Sequence, residues 1–268
     1  MIGSITVEIC AGSTSDAAHA ASVREVDRIE LNCALELGGL TPSQATFIES
    51  RKIYPGRILC MVRPRPAGFV YNAYEKDTML KDAEFFLENG ADGIVFGVLN
   101  SDLTVDTQFT EQMVRLIHSY GREAVFHKAF DETPDLFAAA ETLAKYGIDR
   151  ILTSGGAENT ELGIPVIRDL QSRFGGRMEI LPGGGVSEHN AAKILQKTGC
   201  RSIHMTAKSS CEDCGTYFAV DPERIRRILA SLRPGTQRVF SGEDTAMLKN
   251  DAYEKTVISY EDDGNERY

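Results

Sequence analysis

Ionisable side chains in this sequence fall where short apolar segments end, positions that a hydrophobic core would not select. Val7-Glu8-Ile9-Cys10 puts Glu8 and Cys10 on one side of an extended segment, because strand side chains alternate. Glu30 and Asn32 stand the same way in the next segment, Arg63 and Arg65 close the third, and His127, Lys128 and Asp131 follow the fifth. His204 sits in the eighth. Such a set could run proton-transfer chemistry, with Glu8 or Glu30 as general base, His127 as acid, and Arg63 with Arg65 as an anion clamp. The competing account is a set of internal salt bridges. A buried charge costs several kcal/mol unless paired, and five segments ending in ionisable groups exceed what packing requires. Glu8 and Glu30 on adjacent strands would repel unless Arg63, a shared proton or a metal ion intervened, and Arg63 is the expected partner.

Two glycine corners stand beside this set. Ile180-Leu-Pro-Gly-Gly-Gly-Val186 reads as a buried strand entering a glycine-rich turn, with a helix starting at Ser187. Ile151-Leu-Thr-Ser-Gly-Gly156 has the same shape one unit earlier. Thr153, Ser154 and the amides of Gly155, Gly156, Gly183, Gly184 and Gly185 are therefore candidates for holding phosphate or another small anion. Tight turns alone would also explain the glycines. Cys211-x-x-Cys214 has metal or redox spacing but supplies only two ligands, and an ordinary loop accounts for it. Cys60 and Cys200 read as core, and His19, His118 and His189 as helix surface.

The elements that must position these groups are legible as a repeat. Strands are expected at 5–10, 28–32, 57–63, 93–97, 123–128, 150–153, 178–181 and 202–205, apolar runs bounded by Gly, Pro or Asp. Helices are expected over 15–26, from Thr41-Pro42 onward, and over 77–89, 107–120, 133–146 and 188–198, several ended by glycine. Val26-Asp-Arg-Ile, Gly90-Ala-Asp-Gly-Ile, Gly147-Ile-Asp-Arg-Ile and Gly199-Cys-Arg-Ser-Ile mark units of about thirty residues, the size of one βα unit. Eight such units predict a single-domain (β/α)8 TIM barrel over 1–233. A doubly wound open sheet is the alternative, but G-x-G-x-x-G is missing after the first strand. Residues 234–268 are acidic and poor in large apolar side chains, and read as a C-terminal extension rather than a domain.

The chain has 268 residues, 42% hydrophobic and 25% charged, with a formal net charge of -10. That charge argues against nucleic-acid binding, though not against a local pocket for a small anion. No secretory signal and no membrane-length apolar run is visible. Six cysteines in a chain this long do not form a disulfide scaffold, which makes cytoplasmic residence the expectation.

The phrases Val7-Glu-Ile-Cys10, Asp27-Arg-Ile-Glu-Leu31, Gly38-Gly-Leu-Thr-Pro42, Met61-Val-Arg-Pro-Arg65 and Phe69-Val-Tyr71 together resemble the copper homeostasis protein CutC family. Gly90-Ala-Asp-Gly-Ile-Val-Phe-Gly97, Phe126-His-Lys-Ala-Phe-Asp131, Leu152-Thr-Ser-Gly-Gly156 and Leu181-Pro-Gly-Gly-Gly185 continue the match in order. The resemblance implies a cytoplasmic TIM barrel, a homodimer or larger homo-oligomer, that handles copper. It also implies Cu(I) binding at Cys10 and at the position after Ile-Glu-Leu. That second position is Asn32 here, and Cys33, shifted by one, is expected on the opposite face. Lys128 stands where the family has arginine, and Gly12 falls near a family aspartate. Glu8, Glu30, Arg63, Arg65, His127, Asp131 and His204 match.

Two functions follow as expectations. One is copper binding through Cys10, with Cys33 or Met205. The other is an isomerase, epimerase or lyase acting on a small phosphorylated or carboxylated metabolite.

Overall fold

The structure is a computed structural model that describes residues 5–233. Eight strands alternate with helices: β1 (Thr6–Ala11), β2 (Arg28–Leu31), β3 (Arg57–Met61), β4 (Gly93–Phe96), β5 (Glu123–Phe126), β6 (Arg150–Thr153), β7 (Glu179–Pro182) and β8 (Ser202–Met205). Each pairs in parallel with its neighbours in the order β7-β6-β5-β4-β3-β2-β1-β8, and a bridge between Gly183 and His204 joins the two ends. The result is the expected (β/α)8 barrel. Its helices are α1 (Thr14–Ala21), α2 (Gln44–Ile53), α3 (Ala73–Glu88), α4 (Thr107–Ser119), α5 (Leu136–Lys145), α6 (Ile164–Phe174), α7 (Ala191–Thr198) and α8 (Pro222–Ser231). None of them is long and apolar enough to cross a membrane.

The repeated aspartate has a structural job. Asp27, Asp92 and Asp149 each precede a strand and accept the amide of the strand before it, from Val7 at 2.7 Å, Ile58 at 3.0 Å and Ala124 at 2.8 Å. The phrase therefore sets the start of one strand against the next. In two of the repeats an arginine follows, Arg28 and Arg150, and its side chain enters the barrel.

Strand alternation separates two cores. Outward residues such as Ile9, Ile29, Cys60, Phe96, Phe126, Ile151 and Ile203 pack against the helices. Inward residues Leu59, Met61, Val95 and Val125 form a second, smaller apolar cluster. The remaining inward positions on β1, β2, β6, β7 and β8 are largely polar or charged, so the lumen is apolar on one side and ionic on the other.

Several boundaries differ from expectation for local reasons. The helix after Thr41-Pro42 begins later, because Ser43 caps Thr46. Asn72 and Glu75 form a capping box that starts α3 at Ala73, earlier than 77. Asp135 caps α5, so 133–135 lie outside it. The helix expected at Ser187 starts at Ala191, since Ser187 is held in a turn by Asn190 Oδ1 at 2.8 Å. Cys211 and Cys214 lie on an antiparallel hairpin, β9 (Lys208–Glu212) and β10 (Thr216–Val220), rather than in a plain loop. The acidic segment 234–268 lies outside the described residues.

Candidate functional site

Glu8 is the hub of the lumen. Its Oε2 accepts from Arg28 Nε at 2.6 Å and from Arg150 Nη1 at 3.4 Å, while its Oε1 lies 2.7 Å from His204 Nδ1. Arg28 continues to Glu179 at 2.5 Å, and Arg150 to Glu123 at 2.5 Å. Glu8, Arg28, Arg150 and His204 are all buried. Burial pushes the Glu8 carboxyl up, but Arg28, the His204 hydrogen bond and Arg150 together hold it well below the usual carboxylate range. Arg63, the expected partner of Glu8 or Glu30, pairs with neither and instead donates to backbone carbonyls. Arg63 stands at the rim of β3, whereas Arg28 is next to Glu8 in the β1–β2 register and reaches it sideways. The signal that could have found Arg28 and Arg150 was the repeated Asp-Arg-Ile phrase itself.

Above Glu8, three further side chains converge. The ligand atoms of Cys10, Glu30 and His204 lie within 4.8 Å of one another and all three residues are buried. Cys10 Sγ donates to Glu30 Oε1 at 3.5 Å, and Asn32 Nδ2 donates to the same oxygen at 2.9 Å and reaches Cys10 Sγ at 3.5 Å. Register explains the grouping: Cys10 pairs with Glu30 across β1–β2, and Glu8 with His204 across β1–β8. Burial, followed by Glu30, raises the Cys10 thiol. Burial also raises Glu30, and Glu8 adds to it against the pull of His204 and Asn32. His204 would be lowered by burial, but Glu30 and Glu8 outweigh that and raise it. The Glu8–Glu30 repulsion is thus met by the arginines at Glu8, and it adds to the upward shift of Glu30.

With His204 Nδ1 committed to Glu8, Nε2 is the nitrogen left for an ion, the carboxylate–histidine–metal arrangement. Thiolate and imidazole suit Cu(I), and the carboxylate suits a harder ion such as Cu(II) or Zn(II). The donor set therefore fits copper with one soft ligand where the family resemblance implies two. Cys33 does not join: its Sγ donates to the Thr41 carbonyl at 3.1 Å. Met205 faces outward into the helix-side core.

The rim groups divide differently from expectation. Arg65 is no clamp, because its Nε is taken by Glu75 at 2.5 Å and its remaining nitrogens by the carbonyls of Pro66, Gly68 and Val70. The β6 corner already holds an anion of its own. Asp131 accepts from Thr153 Oγ1 at 2.5 Å and from the amides of Ser154 and Gly156, both at 2.9 Å. Gly155 donates its amide to Thr153 Oγ1 at 2.7 Å. These groups are spent on a carboxylate of the chain, so the corner does not receive an external one. At the β7 corner the Gly183 amide belongs to the ladder, donating to Thr153, and the Gly184 carbonyl accepts from Thr160. Gly184 and Gly185 have positive φ of 122° and 71°, as the turn requires.

Burial, then the nearby Arg63 charge, lowers His127 to about 3, which argues against the expected role as an imidazolium acid and favours the neutral ring. Its Nδ1 accepts the Ala129 amide at 3.1 Å, which puts the ring proton on Nε2. Lys128 is half-exposed with its Nζ 3.9 Å from Asp131. Cys60 and Cys200 are buried, and His19 and His118 lie exposed on helices as expected; His189 is exposed too, but in the turn before α7 rather than on a helix.

The comparisons agree with this architecture. The CutC family profile matches residues 5–209. A CutC family protein of Treponema denticola is 45% identical over 212 residues, covering 79% of this chain and 85% of that one. One from Bacteroides fragilis is 37% identical over 78% of this chain and 83% of its own length. The crystal structure of a CutC protein from Streptococcus agalactiae superposes with a TM-score of 0.71 at 33% identity, covering 75% of this chain and 98% of that one. Phosphoribosyl anthranilate isomerase from Thermococcus kodakaraensis, at 17% identity and a TM-score of 0.56, shares the barrel fold alone. Matched over most of its barrel in sequence and in structure, the chain belongs to the CutC family.

Proposed function

We propose that this protein binds copper as Cu(I) in the cytoplasm, through Cys10 Sγ and His204 Nε2 with Glu30 beside them. The observation that carries the reading is the buried convergence of these three side chains within 4.8 Å. Two others support it. All six cysteines are free, as a reducing compartment would keep them, and a solved relative carries copper homeostasis in its name.

The electrostatics give the site a proton requirement. The Cys10 thiol and the Glu30 carboxyl are both raised, so each holds its proton at higher pH than usual. A Cu(I) ion held by Cys10 Sγ would take the place of the thiol proton, one positive charge for one, so the buried site would gain no net charge. Glu8 stays ionised and holds the His204 ring in place with Nε2 turned from the ion pair. Arg28 and Arg150 sustain that carboxylate.

The test is an anaerobic Cu(I) competition titration of wild type, Cys10→Ser and His204→Gln. Wild type should take up one equivalent with release of protons to the buffer, and Cys10→Ser should lose it. Equal affinity in wild type and Cys10→Ser would end the copper reading.

A further inference from the structure

A buried guanidinium without a counter-ion stands near a buried imidazole N–H without an acceptor. Arg63 is 6% exposed. Its Nη1 donates to the carbonyls of Leu37, Gly38 and Gly39 at 3.3, 3.0 and 3.1 Å, and its Nη2 to Ala67 at 2.7 Å. These carbonyls are neutral, as is the Tyr71 hydroxyl beside the guanidinium, and Nε has no hydrogen-bond acceptor among the described residues. His127 is 3% exposed, and its Nε2–H likewise has no partner among the described residues. Phe69 touches both, with Arg63 Cζ 4.9 Å from its ring centre and the His127 ring 4.9 Å away.

Buried charges are normally paired and buried N–H groups normally bonded, so two exceptions on one wall need a cause. Neither side chain is loose. Four carbonyls fix Arg63, and the His127 ring lies on Gly97, where an added Cβ would come within 2.5 Å of Cε1 and Nδ1. Strand alternation puts His127 on the lumen side with Val125, at the C-terminal rim where barrels bind their ligands. In a closed ring of eight, β5 stands opposite β1, so this wall faces the Cys10 group across the mouth. On the same side as His127, on β3, β4 and β5, lies the apolar cluster of Leu59, Met61, Val95 and Val125.

We infer that the barrel mouth binds a small organic carboxylate, one oxygen accepting from His127 Nε2–H beside Arg63, with its carbon body toward the apolar side of the lumen. A neutral imidazole N–H can orient and polarise such an oxygen without giving up its proton. A monoanion fits better than a phosphate, because the adjacent Gly-Gly corner is already filled by the Asp131 carboxylate, which would repel a dianion. The inference stands without an ion at Cys10.

The experiment uses butyrate and benzoate as probes, with benzamide as the uncharged counterpart, followed by calorimetry and by the His127 Nε2 nitrogen resonance. Wild type and Cys10→Ser should bind at least one carboxylate saturably and shift that resonance. Benzamide and His127→Phe should each lower the affinity about tenfold, and His127→Gln, which keeps an N–H donor, should recover part of it. The wild-type resonance reports contact even if His127→Phe fails to fold. Absence of saturable carboxylate binding to wild type, or an unmoved His127 resonance, would overturn the inference. So would a folded His127→Phe that binds as wild type does. Loss of copper binding with carboxylate binding intact would overturn only the copper reading.

Discussion

Glu8 and His204 meet across the β1–β8 seam, Oε1 to Nδ1 at 2.7 Å, in strands whose register pairs them directly. That contact joins the arginine network at the base of the lumen to the Cys10–Glu30–His204 group above it. Glu8→Gln keeps the shape but removes the charge that holds the ring. We expect Cu(I) affinity to fall about 10–100-fold, as for other groups that orient a metal-bound histidine. Stability should fall by about 3 kcal/mol, since Arg28 and Arg150 lose a buried partner while retaining Glu179 and Glu123. Competition titration and urea unfolding measure the two effects separately.

Asn32 occupies the place where a second thiol would complete the site. Its Nδ2 is 3.5 Å from Cys10 Sγ. Asn32→Cys should therefore tighten Cu(I) binding by about tenfold or more, on the order of 1.4 kcal/mol. Cys33→Ser, whose thiol points to the Thr41 carbonyl, should leave affinity unchanged. A competition titration in which the two variants exchanged these outcomes would mean that the β2 face has been assigned wrongly.

His127 gives the fold an acid limb. Its folded value of about 3 lies below the usual 6.5, so between the two the unfolded chain takes up a proton that the folded chain refuses. Its contribution is present in full above 6.5 and is lost as pH falls toward 3, at up to about 1.4 kcal/mol per pH unit. His204 is raised and has the opposite sign: its contribution is present below 6.5 and lost as pH rises through the raised value. Unfolding midpoints of His127→Gln measured across this range should show a shallower acid slope than wild type.

Gly97→Ala tests the cradle under His127. The new Cβ would stand 2.5 Å from the ring and 2.9 Å from Ala129 Cβ, so the ring must move. A loss of about 1–3 kcal/mol is expected. Gly176→Ala, which meets nothing within 4 Å, serves as the neutral control in the same unfolding assay.

Periodicity determined much of this protein without any coordinates. Strands bounded by glycine and aspartate at intervals of about thirty residues leave few arrangements other than a barrel, because parallel strands need crossovers and crossovers repeat. Strand alternation alone put Glu8 with Cys10 and Glu30 with Asn32 on shared faces and set Cys33 apart from Asn32. What the linear pattern could not decide was which charges meet. Ion pairs depend on register between strands far apart in the chain, and only the closed ring brings Glu8 to Arg150 and His204 across separations of 142 and 196 residues. The same holds for the glycine corner. Its amides look open in one dimension, yet in the folded chain Asp131 returns from the preceding unit and fills them.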